Sequence, residues 1–226
     1  MFSCLRLVLP MLFFCAVANA QSQESYLALE GSKGGGLQYS VAISYNYVWR
    51  IGKQKKLELG TGARLTYYSG GPSRFYFSAP ASIASGGNEN IDTVLVNSPS
   101  IYSLNLMLNF GYRFTQKISA GFNIDLIGGS FGNAKLASYI GGVNSSPAPV
   151  KPTSFNLLQG DNYDHGNLNS TFFVRYHVNP QLAVKAGVQH LFSEYTTATK
   201  VQQFPSPNDR FRYKSTMFSA GILFYF

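Results

Sequence analysis

The chain has 226 residues, 18 basic against 10 acidic, a net charge of +8, and 45% hydrophobic residues, with aromatic side chains making up 15% of the whole. That is enough for one domain with its own core. Both cysteines, Cys4 and Cys15, fall within the first 20 residues, so no disulfide framework or thiolate chemistry is expected beyond them. The basic residues are scattered, with no block beyond "GKQKK", which excludes the basic stripe of a nucleic-acid binder. After residue 20 no apolar run approaches the roughly 18–20 residues of a membrane helix.

The segment "MFSCLRLVLPMLFFCAVANA" carries one positive charge at Arg6, an apolar stretch from Leu7 to Val17, and Ala18-Asn19-Ala20. Those three parts predict a secretory signal peptide over residues 1–20 and a mature domain over 21–226 beginning at Gln21. A lipidated Cys15 is the competing reading, but a lipobox-like pattern needs a small residue before the cysteine, and Phe14 is large.

Beyond the leader the apolar period is two, the mark of β-strands. "SYLALEG" (25–31) is the shortest candidate, followed by the brief connection "GSKGGG". In "LQYSVAISYNYVWRI" (37–51), Leu37, Tyr39, Val41, Ile43, Tyr45, Tyr47, Trp49 and Ile51 form one row. Across the turn 52–56, "LELGTGARLTYY" places Leu57, Leu59, Ala63, Leu65 and Tyr67 on one face. "YSLNLMLNFGYRF" and "ISAGFNIDL" follow, with Phe122, Ile124 and Leu126 sharing the apolar row of the second. "STFFVRYHV", "LAVKAGVQHLF" and "TMFSAGILFYF" complete eight strands. The connections 52–56, 115–117 and 179–181 are short. Those at 70–99, 131–167 and 194–210 are long and rich in Ser, Gly, Asn and Pro.

A soluble β-sandwich and a membrane barrel both show such alternation. Sandwich strands run about 5–6 residues. Barrel strands need roughly 9–11, with short turns on one side, long loops on the other and aromatic girdles at both boundaries. Tyr47, Trp49, Tyr112, Phe114, Tyr176 and Phe226 cluster at the short-turn ends, and Tyr67, Tyr102 and Phe192 at the long-loop ends. Strand length, loop alternation and leader all point to an all-β, antiparallel, up-and-down transmembrane barrel of eight strands in an outer membrane. A ten-stranded alternative would add "RFYF" (74–77) and "DTVLV" (92–96), although both read better as an extension above the membrane.

The leader, the quoted strands and the end "GILFYF" resemble eight-stranded outer-membrane barrels of the OmpA/OmpX transmembrane-domain type. The resemblance implies architecture rather than one function. It also implies that Phe226, a terminal aromatic on an alternating strand, is read by the barrel-assembly machinery.

Arg50, Glu58, Arg64, Arg113, Asp125, Arg175 and Lys185 fall on the small, polar row. They are expected to plug the lumen, because about eight strands leave an interior that side chains fill. A selectivity path is the alternative. Counting across the turns sets Gly111 opposite Gly121, Phe173 against Gly187, Arg50 opposite Glu58 and Arg175 against Lys185. Glu58 is then the expected hub of the lower lumen, with Glu194 in a loop and Asn105 a polarity-tolerant inward site.

His190, Ser193 and Glu194 invite a lipid-hydrolase reading. Lipid A deacylases carry H-x-S on one face, however, and here Phe192 stands at the second position while Ser193 falls on the opposite face. "GDNYDHGN" (160–167) collects Asp161, Asn162, Asp164, His165 and Asn167 without the calcium-loop order, and reads as a solvated turn. The expected function is non-enzymatic, structural or surface-interacting. A small porin-like channel or lipophile transporter is the second reading and a lipid A hydrolase the third. No cofactor, metal or nucleic acid is expected. The expected partners are outer-membrane lipid, lipopolysaccharide, the assembly machinery and an unidentified loop ligand.

Overall fold

The computed structural model describes residues 20–140 and 147–226. The signal-peptide reading lies outside the described residues, Ala20 excepted. In chain order the strands are β1 (Ala20–Lys33), β2 (Tyr39–Ile51), β3 (Leu57–Ser69), β4 (Ser73–Ser78), β5 (Thr93–Asn97), β6 (Ser100–Arg113) and β7 (Ile118–Phe131). They continue as β8 (Lys135–Ile140), β9 (Ala148–Pro152), β10 (Phe155–Leu157), β11 (Leu168–Asn179), β12 (Leu182–Thr197) and β13 (Arg210–Tyr225). The described residues therefore hold thirteen strands in one antiparallel sheet, where the sequence pattern shows eight.

The eight long strands pair in a cycle, β1–β2–β3–β6–β7–β11–β12–β13 and back to β1. From Gln23 the register steps through Trp49, Leu59, Phe110, Phe122, Phe172, Val188 and Phe218, and returns to β1 at Lys33. The circuit closes at position 33 rather than 23, a stagger of ten residues. With strands about 4.8 Å apart and about 3.3 Å per residue, that stagger over eight strands tilts them by about 40°.

Short turns are made by local side chains. Gly52 takes φ +86° and Lys55 φ +52° between β2 and β3, and glycine carries such a φ without a Cβ clash. Thr115 Oγ1 accepts from the N–H groups of Lys117 and Ile118 at 3.2 and 3.0 Å. Asn179 Oδ1 accepts from Gln181 N–H at 2.9 Å. These hydroxyl and amide turns reverse the chain in the fewest residues.

Three sequence expectations are corrected. First, β1 begins at Ala20 rather than Ser25, which brings Glu24 into the sheet opposite Val48. Second, β7 bulges at Leu126: Met107 pairs with Asp125 while Leu106 pairs with Ile127. Leu126 thus leaves the regular apolar row, and beyond it the inward positions become Gly128 and Ser130. An extra residue in one strand reverses the faces above it. Third, the long connections carry β4, β5, β8, β9 and β10, and β12 and β13 extend upward to meet them. The β4–β5 hairpin does not enter the eight-strand cycle. It joins the upper end of β13 at Phe211–Ser78.

Those upper pairings close a second cycle, β12–β13–β4–β5–β8–β9 and back to β12. Tyr76, Val94, Val96, Ile101, Ala137, Val150, Tyr195 and Phe211 form its buried core. The β12–β13 hairpin is a wall common to both cycles.

Candidate functional site

The outward row of the eight-strand cycle is exposed and apolar: Leu29, Ile43, Leu65, Leu104, Leu106, Phe172, Val174 and Ile222 all face away from the protein. Aromatic rings edge this band. At the long-loop end Tyr39, Tyr67, Tyr102 and Phe131 contact in series across four strands, with ring centroids 6.1, 4.8 and 5.5 Å apart. At the short-turn end Tyr47 meets Trp49 at 5.1 Å, Tyr112 meets Phe114 at 5.2 Å, and Tyr45 stacks on Phe226 at 6.2 Å. Tyr39 and Trp49 are on one face of β2, ten residues apart. At about 3.3 Å per residue and about 40° of tilt the girdles stand about 25 Å apart, the height of an outer-membrane apolar band.

Inside, all seven charged side chains predicted for the lumen are drawn into ion pairs, and Glu24 and Glu30 join them. In register Arg50 lies opposite Glu58, as expected. Its ion-pair partner, however, is Glu24 on β1. Glu58 instead takes Arg113 at 3.5 Å and Arg175 at 3.4 Å, while Arg113 also reaches Glu24 at 3.7 Å. Arg175 lies against Lys185 in register. That like-charge pair is resolved because Lys185 pairs with Glu30 at 2.5 Å. Glu58 is therefore one of three carboxylates in the lower lumen and not its single hub. A β1 confined to 25–31 leaves Glu24 outside the sheet, whereas the even spacing of Glu24 and Glu30 along "ESYLALEG" is the sequence signal that puts both on the inward row.

Aromatic faces and glycines complete the packing. Arg175 sits over the Tyr26 and Phe173 rings at 5.4 and 5.2 Å, and Lys185 over Phe173 at 4.6 Å. Gly111 and Gly121 are paired. A Cβ on Gly121 would stand 2.7 Å from Phe173, and one on Gly111 2.9 Å from Glu58. Hydrogen there is what lets two large side chains cross the lumen.

Higher up, Arg64 binds Asp125 at 2.5 Å and Asn123 at 2.9 Å. Asp125 also accepts from the Asn105 amide at 2.8 Å and from Asn169 N–H at 3.0 Å. Asn105 continues the network, accepting from Asn156 at 2.8 Å. Both ends of its amide are thus engaged.

Glu194 is not in a loop. It lies on β12 with no exposure, binding Arg210 and Arg212 at 2.8 Å each. His190 faces outward, 3.0 Å from Thr216 Oγ1, whereas Ser193 faces the upper core, 3.1 Å from Tyr76 hydroxyl. Histidine and serine are on opposite faces, so no base–nucleophile contact exists between them. In the "GDNYDHGN" segment, Asp164 Oδ1 accepts from Gln159 and Gly160 N–H at 2.8 and 2.7 Å, a turn-closing role. Among the described residues no group of three or more acidic, His or Cys side chains is placed to hold a metal.

Outside the band the upper platform is stitched together by polar contacts. Gln202 Nε2 donates to Asn90 carbonyl at 2.7 Å and Ser78 Oγ donates to Gln202 Oε1 at 2.8 Å. Tyr139 hydrogen-bonds Asp92, and burial together with that carboxylate pushes its phenol pKa up.

No family profile and no curated protein matches the chain. Among solved structures it is similar to Neisserial surface protein A, at 14% identity over 90% of this chain and 96% of that one, TM-score 0.38. It is also similar to Ail, the attachment invasion locus protein of Yersinia pestis, at 10% identity over 90% and 97%, TM-score 0.35. A de novo designed transmembrane β-barrel overlaps at 8% identity over 92% and 99%, TM-score 0.37. Overlaps this loose carry no argument. The fold rests on the chain's own strand pairings.

Proposed function

We propose that this protein is an exported, eight-stranded transmembrane β-barrel of an outer membrane, with a plugged lumen and a rigid platform outside, and that it is not an enzyme. The observation that carries this reading is the outward apolar band between two aromatic girdles, wrapped around a cycle of strands whose inward charges are paired. Bare lipid-facing apolar surface of this extent would aggregate in water. A lumen crossed by ion pairs and occupied by buried Arg64, Met107, Phe173 and Arg175 favours the plug over the channel. The six-strand platform is a built feature that stands beyond the long-loop girdle. Its role is contact with a surface partner, and the lumen charges are its structural support.

Phe226 closes β13 against β1: its N–H donates to Ser25 carbonyl at 3.1 Å, and Ser25 Oγ donates to Phe226 carbonyl at 3.2 Å. Its exposed outward ring suits recognition by the assembly machinery. The test is cell fractionation with heat-modifiable gel migration, followed by planar-bilayer recording. Recovery in the outer membrane, a folded form that migrates differently after boiling, and no steady conductance are expected. Recovery as a soluble protein would overturn the membrane reading, and steady conductance would overturn the plug.

A further inference from the structure

The ten acidic residues are divided unevenly along the barrel axis. Glu24, Glu30, Glu58 and Asp125 lie in the lumen, and Glu89, Asp92, Asp161, Asp164, Glu194 and Asp209 belong to the long-loop end. The short turns hold none. The β2–β3 turn reads Gly52-Lys53-Gln54-Lys55-Lys56, the β6–β7 turn Phe114-Thr115-Gln116-Lys117, and the β11–β12 turn is the uncharged Pro180-Gln181. Lys53, Lys55 and Lys117 are exposed and Lys56 is half-buried. Among the described residues none of the four lysines is in an ion pair.

These lysines are gathered on one side. β2, β3, β6 and β7 are consecutive in the eight-strand cycle. Arg113 N–H donates to Lys56 carbonyl at 2.8 Å, which ties the first lysine turn to the strand that feeds the second. On the far side, the Pro180-Gln181 turn and the strand ends at Gln23 and Phe226 carry no basic side chain. The carboxylates nearest this end, Glu24 and Glu58, are taken by Arg50, Arg113 and Arg175. No acidic side chain of the protein is left to answer the four lysines.

Depth identifies the partner. Lys53 follows Trp49 by four residues and Lys117 follows Phe114 by three, and both rings belong to the lower girdle. At about 3.3 Å per residue and about 40° of tilt, four residues descend at most about 10 Å. The polar headgroup layer is about 5–8 Å deep on each side of the apolar core. The turns therefore end within that layer or at its edge, and are too short to reach a polymer farther from the membrane. A lysine at this depth lays its methylenes along the girdle rings and turns its ammonium towards the headgroup phosphates.

We infer that this lysine arc gathers anionic phospholipids of the phosphatidylglycerol class from the leaflet at the short-turn end, against the β2–β3–β6–β7 side of the barrel. A zwitterionic headgroup sets its own ammonium beside its phosphate. A net-negative headgroup has no such internal partner, so it gains more from lysines that lack acidic neighbours. The inference rests on the transmembrane reading above and adds to it a lipid preference confined to one side.

Trp49, the single tryptophan, stands on the same side as Lys53 and reports the lipid beside it. Full-length protein is folded into phosphatidylcholine vesicles in which about one lipid in five is phosphatidylglycerol brominated near the headgroup. A parallel set carries the same fraction of brominated phosphatidylcholine in a mixture of unchanged headgroup composition. At low salt the brominated fraction sensed by Trp49 should be about two- to threefold higher for phosphatidylglycerol, and about 0.5 M salt should bring the ratio towards one. Lys53→Gln, Lys55→Gln, Lys56→Gln and Lys117→Gln together should abolish the preference, whereas Lys33→Gln, exposed at the long-loop end, should keep it. The salt titration uses wild type alone and stands even where the quadruple variant folds poorly. Equal quenching by the two lipids in wild type, a preference unmoved by salt, or one retained in the folded quadruple variant would overturn the inference. Equal quenching together with lysine-dependent binding of soluble acidic peptidoglycan fragments would assign the arc to a polymer and overturn it as well. A heat-modifiable, inserted protein without lipid preference overturns this inference alone; a protein that does not insert overturns the transmembrane reading with it.

Discussion

Arg64 on β3 and Asp125 on β7 meet at 2.5 Å across the strand that separates them, with side-chain exposures of 1% and 0%. Asn105 on the intervening β6 donates to the same carboxylate, and Asn169 on β11 is held by both charges. One ion pair thus ties four strands. Removing one partner of such a pair typically costs about 3–5 kcal/mol, because the other charge is left buried and unpaired. Asp125→Asn should lower the unfolding free energy, read from urea titration in detergent, by that order. The double variant Arg64→Met with Asp125→Leu should lose less than either single variant. Additive losses would show that the two charges do not act as a pair.

The lower lumen distributes its charges over several carboxylates. Glu58→Gln removes the partner of Arg175, and Glu194→Gln removes the partner of two arginines. Both should destabilise the folded protein strongly. Glu24→Gln should cost less, since Glu24 is 30% exposed and its ion pairs are partly screened. Glu89→Gln, in the 70–99 connection, serves as the neutral control. Thermal melts of the four variants rank them, and a melt of Glu194→Gln equal to that of Glu89→Gln would contradict its burial.

Lipid exposure is tested at Leu106, which faces outward at 55% exposure in the middle of β6. Leu106→Arg should block assembly, since an arginine at midplane depth costs about 2–4 kcal/mol on the lipid face. Gln116→Arg, in a turn beyond the lower girdle, should assemble normally. Asn105→Arg should also be damaging, because it breaks the Asp125 network. Equal yields of heat-modifiable protein from Leu106→Arg and Gln116→Arg would place the membrane elsewhere.

Orientation follows from the two kinds of connection. Ser85, exposed at the end of the helical turn Ala81–Ala84 on the platform, should label as cysteine in intact cells with a membrane-impermeant reagent. A cysteine at exposed Gln54, in the β2–β3 turn, should label only after the membrane is opened. The reverse pattern would invert the topology.

Trp49 is the single tryptophan of the chain, and it contacts Tyr47 in the lower girdle. Its fluorescence in lipid vesicles should be quenched more by chains brominated near the headgroup than by chains brominated near the terminal methyl. Aromatic rings with a polar edge settle at that boundary. Stronger quenching from the bilayer centre would displace the girdle.

Much of the architecture is written locally. Alternation along "LQYSVAISYNYVWRI" assigns each side chain to the outer or inner face, and the turns at Gly52, Thr115 and Asn179 set registers that place Arg50 opposite Glu58, Gly111 opposite Gly121 and Arg175 against Lys185. Both depend only on neighbours a few residues away, so they survive being read from the chain alone. What the tertiary structure decided depends on strands far apart in sequence. The partner of Arg50 is Glu24 because β1 and β2 lie side by side there, and Lys185 is neutralised by Glu30 from the other end of the chain. Leu126 leaves its row because β7 bulges between β6 and two successive partners. Glu194 is buried because the long connections fold back as a second cycle and cover the wall it stands on. Hairpin registers are local, but a closed sheet is set by the stagger at which its first and last strands meet, and no short window of sequence contains that number.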